Sequence, residues 1–290
     1  RTGLAVIRKI RGNKAVKWAL DGHLGGTHRV EGIFIAHGLT VKPGLKINAD
    51  IADITPTLLA MMGLAVPADM ALPIPAGISM VEAAAIPEAF ATSFLNLILE
   101  GRMKKGDTIF IQGGASGLGM AAVQLAKYMG GKVVTTVGSD DKAAFVRTLG
   151  ADVVINRKKE DIAAVLAQHP VDVAMDSVAG PHLGACLATM ARGGRWIIIS
   201  TLGGAMCEID IRDFFRRGVY LIGSTLRSRS NAVKSQVLAA VQQKLWPLLE
   251  DQRIRPVIHR VLPIREVHEA HRILASNENI GKVVLTLKDS

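Results

Sequence analysis

Seven residues, Gly113-Gly-Ala-Ser-Gly-Leu-Gly119, follow the apolar stretch Thr108–Gln112 and lead into a segment of helical spacing, Met120 to Met129. Glycines at such a turn let the backbone reverse sharply and let a phosphate approach without a β-carbon in the way. The helix that follows aims free amides and a partial positive charge at the same point. The chemistry implied is capture of a pyrophosphate, with Gly114, Ser116, Gly117, Leu118 and Gly119 in contact with it. The spacing, Gly114-x-x-Gly117-x-Gly119, departs from the commoner G-x-G-x-x-G. Twenty residues on, the segment Lys132–Val137 ends in Gly138-Ser139-Asp140-Asp141-Lys142. A site built for NADH places a carboxylate at the end of this strand to hold the ribose 2′-hydroxyl, and Gly138 stands there instead. Ser139 and Lys142 suit a 2′-phosphate, and Arg157, after the next strand, can join them. The expected cofactor is NADPH in preference to NADH. The alternative is that Lys142 and Arg157 are solvated surface charges.

The elements that must hold these residues follow in order. Ser79-Met-Val-Glu82 reads as a capping box opening an Ala-rich helix that is broken at Pro87 and resumes to about Glu100. Strands are expected at 108–112, 132–137, 153–155, 171–175, 195–200 and 219–222. Helices fall between them at 120–129, 140–149, 159–168 and 182–190, with a short one ending near Phe214. Alternation of helices with near-continuous apolar strands predicts an α/β fold, a doubly wound parallel sheet of the Rossmann type covered on both faces. A long amphipathic helix follows at 231–250, then a strand at 259–262, a helix at 263–275 and a last strand at 281–287. Residues 1–70 differ in character and read as an incomplete N-terminal α/β appendage. Gly22 to Gly26 is glycine-dense, 32–36 is strand-like, and Thr55-Pro56 opens a helix to Met62; Pro67, Pro73 and Pro75 then mark a boundary. The expected division is 1–70, 71–255 and 256–290.

Several motifs in order carry a family likeness: Leu72-Pro-Ile-Pro-Ala-Gly-Ile-Ser-Met-Val-Glu-Ala-Ala-Ala-Ile-Pro87, the glycine-rich turn, Leu149-Gly-Ala-Asp152, Gly223-Ser-Thr-Leu-Arg227 and Asn279-Ile-Gly-Lys-Val-Val284. On these the stretch from about 72 to 287 resembles the zinc-free quinone oxidoreductase branch of the medium-chain dehydrogenase/reductase superfamily. The resemblance implies hydride transfer from NADPH to a quinone or enone, without a metal. It also implies that Val178, the segment Ser200-Thr-Leu202-Gly203, and Thr225 with Leu226 hold the nicotinamide end of the cofactor. The family often has an aromatic residue where Arg157 stands. The groups that shape the substrate pocket in relatives come from an N-terminal catalytic domain whose pattern residues 1–70 lack. The chain alone is therefore expected to bind NADPH and to reduce quinones poorly, with 259–262 and 281–287 short of strand partners. Relatives pair the sheet edge at 219–222 across a two-fold axis, which predicts a homodimer.

Residues 1–70 resemble instead the C-terminal part of alkaline-phosphatase-superfamily phosphodiesterases and nucleotide pyrophosphatases, through Gly26-Thr-His-Arg-Val-Glu-Gly-Ile-Phe-Ile-Ala-His-Gly38, Val41-Lys-Pro-Gly44, Asp53-Ile-Thr-Pro-Thr57 and Met62-Gly-Leu64. His28 stands where that family has a metal-binding histidine. One histidine cannot build a two-metal hydrolase site, so His28 is read as an orphan. Two rivals to the reductase reading remain: a non-catalytic NADPH-binding module and a metal-dependent phosphodiesterase.

Composition bounds the rest. Of 290 residues 49% are hydrophobic and 21% charged, which suits a folded α/β chain and excludes disorder. Two cysteines, Cys186 and Cys207, cannot make a disulfide framework or a structural zinc site, and a reducing cytoplasm is the expected setting. The longest apolar run, from Met80 to Leu99, is interrupted by Glu82, Pro87, Glu88 and Asn96, so no membrane partner is expected. The net charge of +10 is spread out, and only 4% of residues are aromatic, leaving little to stack bases on. No nucleic-acid partner is expected; an anionic cofactor explains the charge. The chain opens on Arg1 without a secretion-signal pattern, and reads as trimmed or as a piece of a longer one.

Overall fold

The computed structural model describes residues 72–286, together with the backbone of a short parallel pairing of Gly3–Leu4 with Gly32–Ile33. The expectations for the rest of 1–70, including the phosphodiesterase-like segment and His28, lie outside the described residues.

The capping box forms as read. Ser79 Oγ accepts from the Glu82 amide and the Glu82 carboxylate accepts from the Ser79 amide, starting α1 (Met80–Ala84). Helix α2 (Pro87–Phe94) begins at Pro87 and runs straight on into one wider π-helical stretch, Leu95–Glu100. Then the alternation sets in: β1 (Thr108–Ile111), α3 (Gly117–Tyr128), β2 (Lys132–Val137), α4 (Asp140–Thr148), β3 (Val153–Asn156), α5 (Ile162–Ala167), β4 (Val171–Asp176), α6 (Leu183–Leu187), β5 (Met190–Ile198), α7 (Ile211–Arg217) and β6 (Tyr220–Gly223). All six strands are parallel, in the order β3-β2-β1-β4-β5-β6. The chain therefore starts at the centre, winds one way to β3, crosses back to β4 and winds the other way. The doubly wound architecture expected from the alternation is present, and its switch point lies between β1 and β4.

Burial explains the apolar strands. In β1, Ile109 and Ile111 face one layer with Met120, Val123 and Ala126 of α3, while Phe110 faces the other with Leu166, Leu183 and Trp196. A strand covered on both faces has no side to leave polar. The Phe110 and Trp196 rings meet at 5.5 Å between centroids, a tilted contact that closes the second layer. A third cluster joins α2 and α3 to α8 (Asn231–Glu250) through Phe90, Phe94, Leu125, Val241 and Leu245.

Several boundaries differ from the sequence reading, among them α3, which starts at Gly117, and the helix expected from 263, which starts at Val267; three have local reasons. Helix α5 starts at Ile162 rather than 159 because Asp161 caps it, its carboxylate accepting from the Ala164 amide at 2.8 Å. Helix α6 stops at Leu187, since Met190 is already in the sheet opposite Val171. Strand β5 accordingly ends at Ile198, leaving Ser200 in the loop beyond it.

The expectation that the C-terminal strands lack partners is overturned. Strands β7 (Ile258–Pro263) and β8 (Lys282–Thr286) pair in parallel with each other, joined by α9 (Val267–Ala275) in a small βαβ unit. Leu262, Ala270 and Ile273 form its core, with Val283 and Leu285 packed against them. Each strand is paired along one edge by the other.

The turn between β1 and α3 is closely packed. A β-carbon on Gly119 would lie 2.2 Å from the Gly113 carbonyl oxygen, and one on Gly114 would lie 2.2 Å from Thr135 Oγ1. The first clash is with backbone, which cannot rotate away. Gly119→Ala is expected to destabilise the chain by about 1–3 kcal/mol or more by forcing α3 off the end of β1. Thermal unfolding of the two proteins checks this, and an unchanged midpoint would contradict it.

Candidate functional site

The site is built where β1, β2 and β3 end. The glycine-rich turn is pinned to β2 by two buried threonines: Thr136 Oγ1 accepts from the Gly113 amide at 2.9 Å, its carbonyl accepts from the Gly114 amide at 2.9 Å, and Thr135 Oγ1 donates to the Ile111 carbonyl at 2.6 Å. Helix α3 then starts with Ser116 as cap, its hydroxyl accepting from the Gly119 amide at 2.9 Å. Gly114, Ser116, Gly117, Leu118 and Gly119 thus fall at one helix N-terminus, the first turn of which holds no acidic residue. That is an anion cradle by backbone geometry and dipole.

The second group gathers at the next two strand ends. Ser139 caps α4, accepting from the Lys142 amide at 3.4 Å, so its hydroxyl serves the helix. Arg157 lies over Gly138: a β-carbon there would sit 3.4 Å from the guanidinium. The Lys142 ammonium donates to the Asn277 carbonyl at 2.5 Å and keeps two further protons to donate. Burial, then the charges of Arg157 and Lys158, hold Lys142 below the ordinary lysine range. Arg157 and Lys158 thus crowd the same corner as Lys142. Asp140, the first acidic side chain of α4, is committed elsewhere: Asn156 Nδ2 donates to it at 2.8 Å and Lys159 Nζ at 2.5 Å. Gly138, Ser139, Lys142 and Arg157 lie together at the ends of β2 and β3. Lys158 was missed, although the run Arg157-Lys-Lys159 is visible as a basic cluster.

The third group lies beyond β4 and β5. Asp176 ends β4, is 1% exposed, and is fully subscribed. One carboxylate oxygen accepts from the Val178 amide at 2.7 Å and the Ala179 amide at 2.9 Å; the other accepts from Trp196 Nε1 at 2.9 Å. Burial raises its pKa, and the three donors work against that rise. Ala179 is thereby held at φ 51°, a conformation that costs an L-residue energy unless its surroundings impose it. Val178 and Gly203 come together, the Gly203 amide donating to the Val178 carbonyl at 2.7 Å and the Leu202 amide to the Ser177 carbonyl at 3.3 Å. Leu202 is exposed and Ser200 half-buried on this loop. Thr225 and Leu226 follow β6; Thr225 is exposed, while Leu226 packs against the α2–α8 cluster instead of joining Val178. The role of Asp176 went unread, though an acidic residue ending an otherwise apolar strand is the signal that could have shown it.

The residues present fit a dinucleotide. Beta-carbons would obstruct the cradle at Gly114, Gly117 and Gly119 alike, and the cation corner stands one strand away, at the ends of β2 and β3. Among the described residues no group of three or more His, Cys, Asp or Glu is placed to hold a metal ion. Cys186 is buried with its thiol pushed up to about 12, which makes it inert as a nucleophile. No helix among the described residues is long and apolar enough to cross a membrane.

Comparison with known proteins agrees with this geometry. The sequence profile described as zinc-binding dehydrogenase matches residues 117–243. Human quinone oxidoreductase is 28% identical over 219 residues, 74% of this chain and 65% of that protein. The spectinabilin polyketide synthase system protein NorB of Streptomyces orinoci is 34% identical over 223 residues, 74% of this chain but 10% of that much longer one. The chain thus spans only part of these relatives. Among solved structures, the quinone oxidoreductase of Thermus thermophilus, described also in complex with NADPH, superposes with a TM-score of 0.65 at 30% identity, covering 74% of this chain and 69% of that one. With the parallel six-stranded sheet, the glycine-rich turn and these likenesses in one stretch of chain, the protein belongs to the medium-chain dehydrogenase/reductase superfamily.

Proposed function

We propose that the chain binds NADPH and serves an oxidoreductase that passes its hydride to a quinone or enone. The observation that carries the cofactor is the corner of Lys142, Arg157 and Lys158 around Gly138, where a site for NADH needs a carboxylate. The quinone oxidoreductase and polyketide synthase relatives support the reaction class. When bound, the nicotinamide supplies the hydride; the protein's part is to hold and orient it. In this reading Gly114 to Gly119 seat the pyrophosphate, Ser139, Lys142 and Arg157 meet the 2′-phosphate, and Val178 with Ser200, Leu202, Gly203 and Thr225 lies along the nicotinamide end. Asp176 is a positioning residue: its bonds to the Val178 and Ala179 amides set that loop.

The sheet edge supports assembly as a homodimer. Strand β6 is outermost, with Tyr220 57% exposed, and the helix leading into it exposes Ile211 and Phe215 at 66% and 67%. An unpaired apolar edge invites a second copy of itself across a two-fold axis.

Three outcomes are expected. Lys142→Ala should weaken NADPH roughly tenfold or more, the worth of one charged hydrogen bond, and leave NADH nearly unchanged. Isothermal titration with both cofactors decides it, and equal loss for the two would refute the 2′-phosphate role. The protonated ammonium is the form that binds an anion, and its pKa is depressed. NADPH affinity should therefore be full below that depressed pKa and fall as pH rises through it, with no matching fall for NADH. Sedimentation of the chain at micromolar concentration should give a dimer mass; a monomer would count against pairing at β6.

A further inference from the structure

The C-terminal βαβ unit reaches back over the cradle. The Gly281 amide donates to the Ala115 carbonyl at 3.1 Å, and Gly281 pairs in parallel with Ser116 as an isolated bridge. This sets Lys282, the first residue of β8, directly above the start of α3. Its stem fills the space over Gly117: a β-carbon there would lie 2.5 Å from Lys282 Cδ and 2.7 Å from Cγ. Its ammonium donates to Glu88 Oε2 at 2.7 Å, in the first turn of α2. The space over the middle glycine of such a turn is the space a pyrophosphate enters. A basic side chain already lies in it, tethered to a carboxylate.

We propose that Lys282 is a pyrophosphate-binding residue that Glu88 holds while no anion is present, exchanging the carboxylate for the phosphates when a dinucleotide binds. The proposal rests on the reading of Gly114 to Gly119 as the pyrophosphate cradle. Three features favour the exchange. The Lys282–Glu88 pair is partly exposed, 31% and 48% at the two side chains, so water screens it and it breaks at little cost. The incoming group carries two negative charges to a helix N-terminus that already favours an anion. A lysine has a flexible stem and three donors, so its ammonium can leave Glu88 while Gly281 keeps its backbone in place. The role differs from that of Lys142, which is tied at the other end of the same C-terminal segment through Asn277. Lys142 would read the 2′-phosphate; Lys282 would contact the part NADH and NADPH share.

The test titrates the full chain, Lys282→Met and Glu88→Gln with NADPH, NADH and 2′-AMP, which lacks the pyrophosphate. Lys282→Met is expected to weaken NADPH and NADH by the same factor, roughly tenfold, as for one charge-assisted hydrogen bond, and to leave 2′-AMP unchanged. Glu88→Gln is expected to tighten both dinucleotides by roughly threefold, since it removes a competing partner of an exposed pair; a gain of affinity cannot come from misfolding. Unchanged dinucleotide binding by Lys282→Met, or a parallel loss for 2′-AMP, overturns the direct contact. Unchanged or weaker binding by Glu88→Gln overturns the exchange. If the unaltered chain binds neither dinucleotide, the cradle reading falls and takes this proposal with it; if it does bind and only the variants disappoint, the cradle stands.

Discussion

Everything in this site depends on how closely helix α3 is allowed to approach the end of strand β1. The Gly113 carbonyl and the α-carbon of Gly119 nearly touch, and there is no room for a methyl group between them. Because they are that close, the free amides of α3 open at the strand end and not some residues along the helix. The two threonines of β2 supply the bonds that keep the turn there: Thr136 takes the amides of Gly113 and Gly114, and Thr135 ties β2 to Ile111. A hydroxyl in a wholly buried strand is costly unless it finds a partner, and both of these do.

Charge is handled differently at the three strand ends. At α3 the first turn holds no acidic residue, and the Lys282–Glu88 pair lies over its dipole and amides. At Gly138 three cations converge; burial, and after it the charges of Arg157 and Lys158, depress the pKa of Lys142. Like charges held together in this way repel until an anion neutralises them. At β4 the situation is reversed: Asp176 is buried as a single acid and survives because three donors surround it. Its bonds spend themselves on shaping a loop, including the unfavourable backbone at Ala179.

The C-terminal unit links the first two of these places. Asn277, Gly281 and Lys282 lie within six residues of each other, yet they touch Lys142, Ala115 and Gly117 respectively. The segment thus runs from the cation corner to the glycine turn, and whatever occupies one must reckon with the other. Its two strands hydrogen-bond to each other.

By itself the sequence determined the architecture and the place of the cradle. Strand–helix alternation with no polar face specifies a parallel sheet buried on both sides, and a glycine-rich turn after the first strand has one mechanical use in such a sheet. Gly138 in place of a carboxylate was equally legible, since it is a statement about one position. Only the tertiary structure decided which side chains share a corner. Lys158 joins Lys142, and Asp140 is drawn off to Lys159 and Asn156, through contacts set by how α4 packs against β3. Leu226, although it follows β6 directly, packs its apolar surface into the helical cluster. The pairing of β7 with β8, and the reach of Lys282 over Gly117, join residues that alternation says nothing about. Local pattern reports which face of an element is apolar; which distant element covers that face is settled by packing and hydrogen-bond satisfaction across the whole fold.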